Sequence, residues 1–215
     1  MRTIQGSVSY ELEARRSRFV CTLARVHDQA EAVEFIAGHR RAHRDATHNC
    51  TAYVLGEHGE ITRSGDDGEP SSTAGIPMLE VLVHRGLTDV AAVVTRYFGG
   101  TKLGAGGLVR AYSQAVAGAV DAARLVERRP VVTVTVAVEH ALAGRFLADL
   151  HGAGHLPSDV RYAGAVEADV PVPVPGLERF EAWAAGVTAG RAHVRRGAAG
   201  HIEVPVTDHP PPDYG

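Results

Sequence analysis

The sequence is poor in lysine, cysteine and aromatic residues, and it has no long apolar run. Lys102 is the only lysine among 22 basic residues, and 6% of the 215 residues are aromatic. With only Cys21 and Cys50, we expect reduced thiols rather than a disulfide framework. No stretch approaches the roughly 18 apolar residues of a membrane span, and no signal-peptide core is present near residue 1. We therefore expect a cytoplasmic protein with no membrane partner.

The charge distribution divides the chain into two parts. Residues 1–129 carry 16 basic and 15 acidic residues, net +1, whereas residues 130–215 carry 6 and 10, net −4. The helix signal stops before Pro130, because proline disfavours helix in the residue that precedes it. This predicts two domains, 1–129 and 130–207, followed by a disordered tail at 208–215. The overall charge of −3 makes wholesale polyanion binding a poor expectation, so any nucleic-acid surface must be local.

The first part has the pattern of a mixed α and β domain. Two alternating apolar segments flank Arg15-Arg16-Ser17 and predict a hairpin. Asp28 is the expected N-cap of the first helix, and Pro77 falls in the first turn of the second. Strands are predicted at CTAYVLG and VAAVVTRY.

The second part reads β-α-β-β-α-β, which is the order of a ferredoxin-like sandwich. Pro171, Pro173 and Pro175 alternate along its third strand. Prolines belong on sheet edges, so this strand either ends early or extends beyond its neighbour.

A glycine-rich loop follows the strand VAAVVTRY. Its glycines are Gly99, Gly100, Gly104, Gly106 and Gly107. Their order relative to Lys102 matches neither the P-loop nor the dinucleotide fingerprint. Glycines still permit close backbone approach, and a helix that begins without a capping side chain attracts anions. Arg96, Lys102 and Arg110 add positive charge, so the loop is a candidate anion site.

An acidic loop contains Asp66, Asp67 and Glu69. One interpretation is an Asx-type turn. Another pairs this loop with the glycine loop, so that its carboxylates satisfy Arg96 or Lys102 and the two loops form one site. No metal, cofactor or catalytic residue is expected, because the nearby histidines and Cys50 match no zinc spacing.

Three segments closely resemble the YigZ/IMPACT family: HNCTAYVLG (48–56), DDGEPSSTAGIPML (66–79) and TRYFGGTKLGAGGLVRAYS (95–113). The resemblance implies an α+β protein. Its first domain would have the ribosomal-protein-like β-α-β fold of domain IV of elongation factor G, and its second would be ferredoxin-like, similar to domain V of that factor. Eukaryotic relatives regulate translation by competing for the activator of an amino-acid-starvation kinase, and they use an additional N-terminal domain. We expect a bacterial member without that domain and do not transfer the kinase role.

The family motifs map directly onto this sequence. The acidic motif falls on Asp66–Pro70 and the arginine-aromatic-glycine motif on Arg96–Gly100. Ser72 departs from the family, which usually has glycine before Thr-Ala-Gly. Either the backbone there does not need positive φ, or the protein tolerates some strain.

Three functions are compatible with these patterns. The first is a non-catalytic protein that binds RNA or the ribosome, with Arg96, Lys102 and Arg110 on phosphates and Tyr97 or Phe98 stacking on bases. The second is a hydrolase in which the acidic loop and His48 hold a metal. The third is a protein-binding regulator. The sequence leaves the oligomeric state open.

Overall fold

Residues 1–206, which the computed structural model describes, form ten strands and five α-helices. The predicted tail at 208–215 lies outside the described residues. The strands are β1 (Arg2–Ile4), β2 (Ser7–Ala14), β3 (Ser17–Arg25), β4 (His48–Leu55), β5 (Ile61–Gly65), β6 (Val90–Tyr97), β7 (Leu125–Val138), β8 (Asp159–Tyr162), β9 (Val166–Pro173) and β10 (His193–Pro205). The helices are α1 (Gln29–Ala42), α2 (Gly75–His84), α3 (Ala105–Ala122), α4 (His140–Gly152) and α5 (Leu177–Val187).

The chain divides into two compact units. Among the described residues, the first comprises Met1–Glu127 together with Pro205 and Val206, and the second comprises Arg128–Val204. The division therefore falls within β7, close to the change in charge balance. The mixture of helices and antiparallel sheets makes this an α+β protein, as the sequence predicts.

The first unit is built on an antiparallel sheet with the order β2-β3-β6-β4-β5. The two inner strands, β4 and β6, are buried almost throughout, because helices cover both faces of the sheet. Helices α2 and α3 enclose the larger core, which includes Phe19 and Tyr112. Helix α1 covers a smaller core on the opposite face, around Ala32 and Tyr53.

Local signals placed the elements of this unit well. Asp28 caps α1 as predicted, with its Oδ1 accepting a hydrogen bond from the backbone N–H of Glu31 at 2.8 Å. The hairpin β2–β3 turns at Arg15-Arg16, as expected. The sequence patterns missed two strands, β1 and β5, because one has three residues and the other carries largely polar side chains.

The second unit has the strand order β10-β7-β9-β8, with α4 and α5 enclosing its core. Strand β8 pairs only with Val166–Asp169 of β9. The last four residues of β9 therefore pair with β7 alone. Pro171 and Pro173 lie in this overhang, where their missing N–H groups cost no ladder hydrogen bond. Of the two alternatives, the strand extends beyond its neighbour, and Pro175 follows in a short 3₁₀ turn.

Within residues 1–206 no helix has both the length and the apolarity that a membrane crossing requires.

The core of the second unit yields a stability prediction. Leu150 is fully buried in that core, whereas Leu156 is 69% exposed. We expect Leu150→Ala to lower the free energy of unfolding of this unit by about 2–5 kcal/mol, because a cavity remains. Leu156→Ala is the matched control and should change it by less than about 0.5 kcal/mol. Urea titration followed by the emission of Trp183, the only tryptophan, measures both. Equal effects of the two substitutions would contradict the packing described.

Candidate functional site

A buried ion pair joins the acidic loop to the end of β6. Nη1 of Arg96 donates a hydrogen bond to Oε1 of Glu69 at 2.6 Å, and the two side chains are 6% and 3% exposed. Nη2 of Arg96 also lies 3.3 Å from Oγ of Ser17. The pair matches the interpretation in which a carboxylate of the acidic loop satisfies Arg96, and a phosphate contact of Arg96 stays a prediction. The charge of Arg96 is already neutralised by a carboxylate of the protein, so its role is to fix the strand and the loops around it.

The same carboxylate anchors α3. Oη of Tyr112 donates to Oε1 of Glu69 at 2.8 Å, and Sγ of Cys50 lies 3.3 Å from that Oη. Burial, with the nearby Cys50 and Glu69, raises the pKa of Tyr112 well above its usual range. Burial also raises the pKa of Cys50 to about 12 and that of Cys21 further. These protonated, enclosed thiols do not favour a nucleophilic function.

Asp66 holds the beginning of α2. Its Oδ1 accepts from the backbone N–H groups of Ala74 and Gly75, at 3.1 and 2.8 Å, and its Oδ2 accepts from Ser72 at 2.8 Å. Burial alone would raise the pKa of Asp66, but these three bonds outweigh it and the net pKa is lowered. The stabilisation is therefore present above the pKa of the unfolded state and is lost as the pH falls through the folded pKa. Asp66 is a helix cap and does not face the glycine loop.

The side chain of Asp67 has partners different from those of Asp66 and Glu69. Its Oδ2 accepts from the backbone N–H of Asn49 at 2.7 Å, and its Oδ1 lies 3.1 Å from Nη2 of Arg40. Of the acidic loop, only Glu69 reaches Arg96. No group of three or more histidine, cysteine, aspartate or glutamate side chains within residues 1–206 is arranged to hold a metal ion. Each of the three carboxylates has its own set of partners, and Oε2 of Glu69 also lies 3.8 Å from Nε2 of His48.

The glycine loop packs against the β2–β3 turn. A Cβ added at Gly99 would lie 1.8 Å from the carbonyl oxygen of Arg16, so only glycine fits there. Nη1 of Arg15 lies 3.4 Å from the carbonyl oxygen of Lys102. Gly104, at φ 74°, is the N-cap of α3 and provides no side-chain cap, as predicted. The turn and the loop therefore form one surface.

The turn itself is strained. Arg15 and Arg16 have φ of 46° and 66°, which places both in the left-handed region. A two-residue hairpin turn of this kind normally uses Asn-Gly, because asparagine and glycine adopt the left-handed region most readily. Other residues disfavour it by about 1–2 kcal/mol each. Both arginines are exposed.

The remaining basic residues of the loop lie nearby. Lys102 and Arg110 are exposed. A depression of about 170 Å³ is lined by Arg15, Arg110, Gln114 and Gly107, among others. Within the described part of the chain, Arg15, Arg16, Lys102 and Arg110 form no ion pair. Gly100 and Gly106 have open space where a Cβ would be added. The sequence analysis predicted Lys102 and Arg110 at this site but did not include Arg15 and Arg16. The signal for these two arginines was their position in a hairpin turn where Asn-Gly is usual.

The two aromatic residues after Arg96 differ in their surroundings. Tyr97 is partly covered, with its Oη 2.9 Å from Nδ1 of His43 and the guanidinium of Arg18 4.6 Å from its ring centre. Phe98 is 46% exposed. The guanidinium carbon of Arg96 lies 5.4 Å from the Phe98 ring centre. Phe98 is therefore the aromatic ring that is more available to a ligand.

Comparison with known proteins gives the family. A family model described as the Impact N-terminal domain matches residues 15–120. The IMPACT family member YvyE of Bacillus subtilis (strain 168) is 40% identical over 201 residues, which are 94% of this chain and 93% of that protein. The chain belongs to the IMPACT family. Another member, YigZ of Escherichia coli (strain K12), is 40% identical over 135 residues, which are 61% of this chain and 66% of that protein.

The similarity to one solved structure covers most of the chain. That structure, described as a crystal structure of a hypothetical protein, is 31% identical, with a TM-score of 0.58. The match covers 90% of this chain and 95% of the other. The match of the Impact N-terminal domain model and the 40% identity to YvyE confirm the resemblance inferred from the three sequence segments.

The departure at Ser72 also has a structural answer. Ser72 has a φ of 61°, so this position does require the left-handed region that glycine adopts without strain. Its backbone N–H donates a hydrogen bond to Oδ2 of Asp66, which keeps Ser72 in this conformation. Of the two interpretations, this protein tolerates strain.

The buried ion pair predicts a large effect of Glu69→Ala. Removing the carboxylate leaves Arg96 buried without compensation, so we expect a loss of about 3–5 kcal/mol in the free energy of unfolding. Asp121→Ala is the control, because it removes an exposed partner of Arg85 and should cost at most about 1 kcal/mol. Urea unfolding followed by far-ultraviolet circular dichroism measures both. A loss below 1 kcal/mol for Glu69→Ala would show that the pair is not a structural anchor.

Ser72→Gly should stabilise the protein. The substitution relieves left-handed strain and keeps the N–H, and after the entropy cost of glycine we expect a gain of about 0.5–1 kcal/mol. Ser71→Gly, one residue earlier at a position without positive φ, should instead lower stability. Thermal unfolding of the two variants beside the parent distinguishes them. A lower melting temperature for Ser72→Gly would rule out strain at this position.

Proposed function

We propose that this IMPACT family member is a non-catalytic, cytoplasmic protein that binds RNA or the ribosome and takes part in the regulation of translation. The binding surface would be formed by Arg15, Arg16, Phe98, Lys102 and Arg110, which we call the arginine-glycine surface. The observation that carries the proposal is the strained Arg15-Arg16 turn packed against the glycine loop.

The turn supports binding because it is unfavourable for stability alone. Asn-Gly would form the same hairpin with less strain, and strained backbone commonly occurs at functional sites. Within residues 1–206 the two arginines have no carboxylate partner, and their positive charge lies beside Lys102. Phosphates of a nucleic-acid backbone are the ligand that such a cluster attracts.

Phe98 supports RNA with unpaired bases as the ligand. One side of its ring faces the guanidinium of Arg96, and almost half of the residue is exposed. An exposed ring among basic groups is the arrangement with which proteins stack a base while they hold the backbone. Tyr97 would contribute less, because its hydroxyl is bonded to His43.

The fold is consistent with this proposal. The order β10-β7-β9-β8 is that of a ferredoxin-like βαββαβ sheet, which supports the assignment of the second domain. We propose the domains 1–129 and 130–207, with the first similar to domain IV of elongation factor G and the second to its domain V. A shared fold does not by itself imply a shared function, so this analogy is secondary to the Arg15-Arg16 turn as support for a role at the ribosome.

The arginine turn allows a test that separates binding from folding. We expect the double variant Arg15→Asn/Arg16→Gly to be more stable than the parent by about 1–2 kcal/mol, because the turn strain is relieved. Its affinity for a fluorescein-labelled single-stranded RNA should fall roughly tenfold near 0.15 M salt, with about 1.4 removed from the slope of log K against log salt. Fluorescence anisotropy over a salt series, beside thermal unfolding, gives both quantities.

Two further arms sharpen the experiment. The control variant Arg63→Asn/Arg145→Asn removes two exposed positive charges outside the arginine-glycine surface. It should bind the RNA with the affinity of the parent. Phe98→Ala should weaken the binding of single-stranded RNA by about 1–3 kcal/mol, and it should leave the binding of a duplex of the same length unchanged. Equal RNA binding by the parent and the turn variant, or equal weakening by the control, would refute the surface. A partner that survives nuclease treatment in a pull-down would instead indicate the protein-binding regulator.

A further inference from the structure

Strand β10 is exposed to an unusual degree for part of a sheet. The residues His193–His201 are all exposed, on both faces of the strand. Among the described residues its strand partner is β7, so the other edge of β10 has no neighbour in the sheet. This edge contains no proline before Pro205, and its N–H and C=O groups can form a ladder with another strand.

The two ends of this sheet differ in their protection. The overhang of β9 carries Pro171 and Pro173, which cannot donate hydrogen bonds to an added strand. Strand β10 has Gly197-Ala-Ala-Gly200 at its centre instead. These small residues leave room for a second backbone, with no bulk on either face. Such an edge is suited to pairing with another chain.

We propose that β10 pairs in antiparallel fashion with β10 of a second copy of this chain, around a two-fold axis at Ala199. A symmetric interface requires that the strand be complementary to itself. In this register Arg195 lies opposite Glu203 of the second copy, and the pair occurs twice. Val194 lies opposite Val204, also twice. The new ladder thus carries two opposite-charge pairs and two apolar pairs. Glu203 also has a partner within its own chain, and the contact with Arg195 of the second copy adds to it.

The side-chain directions of β10 agree with this register. Nε of Arg196 binds Oε1 of Glu181 in α5 at 2.6 Å, so Arg196 is on the helix face. Arg195 is the neighbouring residue of the strand and therefore lies on the opposite face. Residues on one face alternate, which places Glu203 on the same face as Arg195.

Other registers lose this complementarity. Opposite residues share a face, so the two-fold axis must pass through a residue. An axis at Ala198 places Arg195 opposite His201, and an axis at Gly200 places it opposite Pro205, so neither pairs Arg195 with a carboxylate. The charges therefore select the axis at Ala199. The inference uses residues of the second unit only and does not depend on the RNA surface.

Charge exchange tests the interface. We expect the parent to sediment as a dimer in equilibrium with monomer, and Glu203→Arg to raise the dimer dissociation constant about tenfold or more, because like charges then face each other twice. The double variant Arg195→Glu/Glu203→Arg should restore the parent constant. Glu80→Arg, an exposed site on α2, makes the same change in net charge and should leave the constant unaltered. A monomeric parent, or equal effects of Glu203→Arg and Glu80→Arg, would overturn the proposal.

Cross-linking tests the axis itself. In Ala199→Cys the two thiols would face each other, with Cα atoms about 4.5–5.5 Å apart, within the range of a disulfide. In Ala198→Cys the two positions are two residues out of register, so their Cα atoms lie diagonally about 8 Å apart, beyond the roughly 7 Å that a disulfide spans. Both alanines are exposed, and the native Cys21 and Cys50 are buried. Mild oxidation and a non-reducing gel should give a covalent dimer for Ala199→Cys alone. Equal yields for both variants, or none, would overturn this register.

Discussion

The ion pair between Glu69 and Arg96 is the interaction on which the first unit depends. A carboxylate from the acidic loop, a guanidinium at the end of β6 and the hydroxyl of Tyr112 in α3 meet in a nearly water-free space. A charge in such a place is tolerated only when it is paired and hydrogen-bonded. The loop, the strand and the helix are therefore held in one arrangement, and the glycine loop that joins strand to helix begins and ends at fixed points.

That anchoring explains how the surface above it can carry strain. Ser72, Arg15 and Arg16 all occupy the left-handed region, which the surrounding contacts must enforce. Asp66 holds Ser72 through its N–H, and Gly99 packs on the backbone of Arg16. These contacts fix the backbone from which the side chains of Arg15 and Arg16 extend. Buried charges are used for structure here, and exposed charges are left available to a ligand.

The second unit handles the edges of its sheet differently at its two ends. Prolines terminate the hydrogen-bonding capacity of β9 where β8 no longer covers it. Strand β10 keeps all its N–H groups up to Pro205 and has small residues at its centre. An exposed edge of this length is a liability for a monomer, since any extended chain can add to it. Symmetric pairing would remove that liability by turning the edge into the middle of a larger sheet.

Sequence alone determined the parts that depend on local physics and on motif identity. The Asp28 cap, the hairpin and the βαββαβ order follow from residues that are neighbours in the sequence. The family follows from three continuous motif segments, so no distant contact was needed. Tertiary structure decided which charges are used inside and which remain outside. Arg96 and Lys102 lie six positions apart and look alike in sequence, yet one is buried against Glu69 and the other is exposed. The difference arises because a charge is buried only where a partner from elsewhere in the chain compensates it, and the chain brings that partner only when folded.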